Sequence, residues 1–335
     1  PIKASWIGLQ VGLEQFRKNF YESQLSLMQL DTDTKQLAHV IGDAHGYYVP
    51  PYGLWAKRIL GLSFEKLPES KTTVSFYNDK ELEVWPQIMR DRIIKVIETQ
   101  GIKTEIGFYK TAFSMAATSH ACGGCVGMAQ QDIDLLAHAI EQAGDDASKR
   151  NSGFGDVFHE IGHIVRKHQS TTESLQSLYE LLGKLDVQKF LIPAVNIEQS
   201  AFNGLFTLMS VPMVSVLAQL AAGKSLKSIP YGKTQLAIAG FAFGMGFTLS
   251  SISRYHEQEA DAYVVLTEDQ LVLNEQSDFY KQRCASHSWF IHLLEKNSDL
   301  FFSSHPADVQ RAAFFAKAAE QLKAKQSFII EESIQ

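Results

Sequence analysis

Phe158-His159-Glu160-Ile161-Gly162-His163-Ile164-Val165 lies near the middle of the chain and is its most informative segment. Apolar residues surround two histidines and one glutamate, a pattern that predicts a buried helix. His159 and His163 are four residues apart, so on a helix they stand one turn apart on one face. Both imidazoles can then reach one zinc ion at roughly 2.0–2.1 Å. Glu160 falls beside that face, where a carboxylate can take a proton from zinc-bound water. H-E-x-x-H fixes only three positions, and helices reach it by chance. The apolar flanks favour the metal, because buried polar groups without partners are costly. Asn151 or Ser152 is the expected N-cap of this helix.

A catalytic zinc takes three protein ligands and keeps one position open. The third candidate is Glu257, in Ser253-Arg254-Tyr255-His256-Glu257-Gln258-Glu259-Ala260-Asp261. On a helix Glu257 and Asp261 share a face, and Glu259 points roughly to the opposite side. Glu257 can therefore ligate while Asp261 hydrogen-bonds a ligand histidine. The plain alternative is a solvated charged face. His256 is a rival ligand, but its face does not match that of Asp261. His168 lies half a turn off the face of His159 and is not read as a ligand.

These residues carry a family likeness. Glu257-x-x-Ala260-Asp261 after Ser253-Arg254 resembles the second motif of the gluzincin family that holds the heat-shock protease HtpX and the CAAX prenyl endopeptidases. His159-Glu-Ile-Gly-His163 with the trailing His168 is similar to its first motif. Ser304-His305-Pro306 with Arg311 is similar to its Ser-His-Pro…Arg segment. The likeness spans residues 159–311 and leaves the N-terminal third uncovered. It implies His159, His163 and Glu257 as ligands of one Zn2+ per chain, and Glu160 as general base. It further implies His305 as donor to the oxyanion, and Arg311 as the residue that orients His305 or the Glu257 segment. One departure is Thr111-Ala112-Phe113-Ser114, where relatives carry Asn in place of Thr111. An edge strand near Thr111 to Ala117 is expected to bind substrate by strand addition.

Working outward, residues 1–70 are expected to be mixed helix and loop, with Trp6 to Leu30 helical and a break at Tyr47 to Gly53. Thr72 to Tyr77, Glu105 to Ala117 and Cys125 to Gln130 are expected strands. Glu81 to Thr99 is expected to be an amphipathic helix with Ile88, Ile93, Ile94 and Ile97 on one side, and Asp132 to Gln142 a second helix. Residues 71–335 form the expected zinc metallopeptidase domain. The expected fold is mainly α with a small β-sheet (α+β), around a gluzincin metallopeptidase core.

The chain of 335 residues is 45% hydrophobic and 20% charged, which fits a folded globular protein. Its formal net charge of -6 and scattered lysines and arginines argue against nucleic acid as a partner. Three cysteines, Cys122, Cys125 and Cys284, do not make a disulfide framework, and Cys122-Gly-Gly-Cys125 reads as ordinary small residues. No basic region followed by a dense apolar core opens the chain, so no secretory signal is expected.

Two uncharged stretches, about Gln199 to Gly223 and Thr234 to Ser253, are each near bilayer-spanning length but diluted by polar residues and glycine. They are read as an apolar hairpin at about 199–253 that associates with a membrane, the alternative being a buried hairpin of a soluble cytoplasmic protein. Lys224, Lys227 and Lys233 between them would sit on the cytoplasmic side under the positive-inside rule, opposite to a cytoplasmic active site. The expected function is a zinc-dependent endopeptidase acting on protein or peptide substrates. The alternative is a zinc-binding scaffold or inactive relative that holds client proteins. The retained Glu160 speaks against the latter, because a structural zinc site needs no base and closes with four protein ligands.

Overall fold

Three helices open the chain: α1 (Ile2–Leu27), α2 (Thr32–His45) and α3 (Tyr52–Ile59). The computed structural model describes residues 2–28, 30–45, 52–59, 73–77, 85–99, 101–102, 105–111, 116–118, 125–144, 146, 151–166, 168, 215–216, 218–229, 232–286 and 306–334. The expected break at Tyr47 to Gly53 is corrected at its end, because Tyr52 and Gly53 already belong to α3. Gly53 is there for contact: a Cβ on it would sit 2.3 Å from both the Ser251 carbonyl oxygen and Tyr255 Cβ. The missing side chain lets α3 lie directly on a later helix.

Strand β1 (Thr73–Tyr77) is built, apart from Ser75, of β-branched and aromatic residues, as a pleated half-buried surface favours. Helix α4 (Gln87–Thr99) follows Pro86, whose carbonyl accepts from the amides of Met89 and Arg90. It buries Met89, Ile93, Val96 and Ile97. Ile88 does not join that face as expected but is exposed, because five residues before Ile93 is more than a third of a turn out of phase. Strands β2 (Glu105–Thr111), β3 (Ala116–Thr118) and β4 (Cys125–Ala129) complete one four-stranded sheet, ordered β1-β2-β4-β3. The first three in that order are parallel, and β3 runs antiparallel to β4. Thr111 therefore ends an interior strand, and the edge beyond β4 is Ala116 to Thr118. Opposed in register, Phe76 and Phe108 stack with ring centroids 5.5 Å apart and Trp85 closes over them. Cys125 is buried in β4; Cys122 lies outside the described residues.

Helix α5 (Gln130–Ala143) leads to α6 (Gly155–Val165), the helix read first in the sequence. It buries residues on nearly every side, Phe158 among them, at about 1.5–3 kcal/mol for each large apolar side chain. Its N-cap is Phe154, with no side-chain cap bond. The expected caps are otherwise engaged: Asn151 donates to Asp269 at 2.6 Å and Ser152 to Glu275 at 2.5 Å.

The next long element is α7 (Gly232–Val265), 34 residues or about 51 Å of unbroken helix. Its first part is the second uncharged stretch and its last part carries Glu257 to Asp261. No helix among the described residues is long and apolar enough to cross a membrane. Most of the first arm, about 199–223, lies outside the described residues, so the hairpin expected at 199–253 is described only in part. Helices α8 (Gln270–Ser286) and α9 (Asp308–Ile334) pack together, with Tyr280 and Phe315 stacked at 6.0 Å and Arg283 paired to Asp308 at 2.5 Å. One hydrophobic cluster runs from Tyr21 in α1 through the sheet and α6 to Leu322 in α9. The architecture is mostly helical with a small sheet, as the α+β expectation has it.

Candidate metal centre

Helices α6 and α7 meet where their side chains are smallest. A Cβ on Gly162 would lie 2.9 Å from Tyr263 Cβ and 3.1 Å from Ala260 Cα, so only glycine allows this approach. The contact turns the histidine face of α6 onto the carboxylate face of α7. His159 Nε2 is 3.3 Å from Glu257 Oε2, His163 Nε2 is 3.4 Å from Glu257 Oε1, and the two Nε2 atoms are 3.1 Å apart. Four ligands placed tetrahedrally at roughly 2.0–2.1 Å from zinc are separated by about 3.3 Å along each edge. Taken pair by pair, with a different Glu257 oxygen facing each histidine, these separations match the edge lengths of such a site. Among the described residues they form the group of His, Cys, Asp and Glu that could hold a metal ion.

The electrostatics ask for a cation. Burial works against charge on His159, but Asp261 and Glu257 outweigh it and raise its pKa to about 10. Burial also opposes ionisation of Glu257, yet its hydrogen bonds to His159 and His163 hold its carboxyl well below the usual range. Two histidines and two carboxylates, Glu257 and Asp261, converge here with little exposure, a donor set that suits a metal ion.

Asp261 is buried and hydrogen-bonds His159 Nδ1 at 2.9 Å, as the spacing predicted. Arg311, in the first turn of α9, grips Asp261 with both arms of its guanidinium: Nε to Oδ2 at 2.8 Å and Nη2 to Oδ1 at 2.5 Å. Burial opposes ionisation of Asp261, and Arg311 followed by His159 overcomes it, so its pKa is lowered. The guanidinium also lies 4.2 Å above the Tyr280 ring and 4.0 Å from Glu257 Oε2. Arg311 therefore touches the Glu257 segment. Its other expected partner, His305, lies outside the described residues. Glu160 is half-buried, next to His159 on α6.

Two residues set aside in the sequence are part of the surroundings. Glu259 faces away from Glu257 as expected, but it is completely buried and accepts from His168 Nε2 at 2.8 Å. His168 in turn lies 2.8 Å from His163, Nδ1 to Nδ1. His256 is no ligand: its ring stacks on His168 at 4.1 Å. The flanking Tyr255, Ala260 and Ala262 were the available signal, because they imply that the Glu259 side of α7 is covered too.

Residues 157–319 match the model of peptidase family M48, a span that takes in most of α6, all of α7 and α8, and the first part of α9. The match takes in just under half of the chain and supports a metallopeptidase. No curated protein and no solved structure gives a significant match.

Proposed function

We propose that the chain is a zinc-dependent endopeptidase of gluzincin type, holding one Zn2+ through His159, His163 and Glu257. The single observation that carries this reading is the set of donor separations, 3.1–3.4 Å, beside the glutamate that follows the first histidine. The match to peptidase family M48 supports the same class of chemistry. The motif order resembling the HtpX and CAAX prenyl endopeptidases supports an endopeptidase within it.

When bound, zinc would polarise a peptide carbonyl and make water acidic enough to attack near neutral pH. The protein's residues supply the rest. Glu160 takes the proton of the attacking water and delivers it to the leaving amine. Asp261 fixes His159 with its proton on Nδ1, so that Nε2 offers a lone pair to the ion, and Arg311 holds Asp261 in place. His305 would donate to the oxygen on which charge develops. The β3 edge, which packs beside α6, is where an extended substrate would add as a further strand.

The test compares the parent with Glu160→Gln. One zinc per chain in both, with cleavage of unfolded protein by the parent alone, is the expected result. Equal cleavage by the two would remove Glu160 as the base. Zinc in both with cleavage in neither would favour the scaffold reading, in which the site binds clients without turning them over.

A further inference from the structure

We propose that His168 and Glu259 are positioning residues that fix the tautomer of the metal ligand His163 through a two-step hydrogen-bond relay. The inference rests on the metal reading above and extends it to the side of α7 that faces away from the ion.

The two ligand histidines are supported differently. His159 Nδ1 meets a carboxylate directly, at 2.9 Å from Asp261. Among the described residues His163 Nδ1 meets another imidazole, His168 Nδ1, at 2.8 Å. His168 then reaches Glu259 Oε2 through Nε2, also at 2.8 Å. A neutral imidazole carries one N–H and one lone pair, so each bond in this series dictates the next. If Nε2 of His163 gives its lone pair to the ion, the proton of that ring sits on Nδ1. Across the 2.8 Å gap Nδ1–H can only donate, so His168 accepts at its own Nδ1. The proton of His168 is then on Nε2, where it meets an acceptor.

Glu259 makes that final step compulsory. Its carboxylate is fully buried between two nitrogens, Arg166 Nη2 3.4 Å from Oε1 and His168 Nε2 2.8 Å from Oε2, and its oxygens accept from both. The opposite tautomer of His168 would leave a lone pair facing Glu259 and two N–H groups facing each other between the rings. The His168 ring is itself held: it stacks on His256 with planes 9° apart, and it crosses the His163 ring at 78°. Arg166 is tied in turn to Thr34 of α2, so the relay is anchored in the N-terminal helices. Each ligand histidine thus ends on a carboxylate of α7, one directly and one through an inserted imidazole, an extended form of the carboxylate–histidine–metal arrangement.

The test reads tautomers first, in the unaltered protein. Long-range 15N–1H correlation on histidine-labelled, zinc-loaded protein should place the His163 proton on Nδ1 and the His168 proton on Nε2. A His168 proton on Nδ1 would overturn the relay. The second reading is zinc affinity by chelator competition. His168→Phe fills the ring volume and makes neither bond; His168→Gln can accept with its oxygen and donate with its nitrogen. His168→Phe should weaken zinc binding by about 10–100-fold, and His168→Gln should restore most of the loss. Unchanged affinity in His168→Phe, or equal loss in both variants, would reduce His168 to packing and sink the relay alone. Failure of the parent to bind zinc would sink the metal reading itself, and the relay with it.

Discussion

Asp261→Asn is the substitution whose cost follows most directly from the geometry. Three hydrogen bonds converge on this buried carboxylate: two from Arg311 at 2.8 and 2.5 Å and one from His159 at 2.9 Å. The amide keeps one oxygen and turns an N–H2 group toward donors. Removing one partner of a buried ion pair costs about 3–5 kcal/mol, chiefly because the other charge is stranded. Here the stranded guanidinium keeps the Tyr280 ring at 4.2 Å and Glu257 at 4.0 Å, which moves the cost toward the lower end. About 3 kcal/mol is therefore expected. With an unfolding entropy of about 2.1 cal/mol/K per residue over 335 residues, this corresponds to a Tm lowered by about 4 °C. Loss of the partner of His159 should also weaken zinc binding by about 10–100-fold. Calorimetry and chelator competition measure the two effects. Asp278→Ala is the control: its pair with Lys281 at 2.9 Å is exposed, and the loss should stay under about 0.5 kcal/mol. If Asp261→Asn matches the control in both assays, the account of how His159 is held is wrong.

Other outcomes follow from other parts of the molecule. Gly53→Ala places a methyl against the backbone oxygen of Ser251 and should destabilise by about 1–3 kcal/mol, whereas Gly12→Ala, with nothing within 4 Å, should be neutral or stabilising; equal denaturation midpoints for the two variants would refute the close packing of α3 on α7. In metal-free protein the His159 proton stabilises the fold, because the folded pKa is raised to about 10 from 6.5. That contribution is complete below pH 6.5 and is lost as pH rises through about 10. The Tm of chelator-treated protein should fall across this window and that of zinc-loaded protein should not; a flat metal-free profile would contradict it. Proline at Ala117 on the β3 edge should impair peptide cleavage and spare zinc content, and undiminished cleavage would move the substrate elsewhere.

The parts of the site that were legible in the sequence are those fixed by a single helix. His159 and His163, or Glu257 and Asp261, share a face by spacing alone, and no knowledge of the rest of the chain is needed. What the spacing left open is what covers the remaining faces. Glu259 sits two residues from Glu257 and is directed away from it, as read, but its burial depends on His168 and Arg166, some 90 residues earlier. Asn151 and Ser152 have the chemistry of caps, yet carboxylates of Asp269 and Glu275 compete for them. Tertiary partners win such contests wherever they offer a charged acceptor. The uncharged run from Thr234, which in sequence suggests one arm of a hairpin, is the first part of a longer helix, since nothing in it breaks the backbone ladder before Val265.

That continuity makes α7 a rod with a handle. Lys233, Thr234, Ala237, Gly240 and Gly244 are exposed near one end, and Glu257, Glu259 and Asp261 work at the other. Successive residues are set about 100° apart around the axis. A twist of that size along the rod would carry each carboxylate into its neighbour's bearing, turning Glu257 from His159 and His163 and Glu259 from His168 in one movement. The two faces of the site are therefore geared to a single angle, the one at which α7 lies against α6.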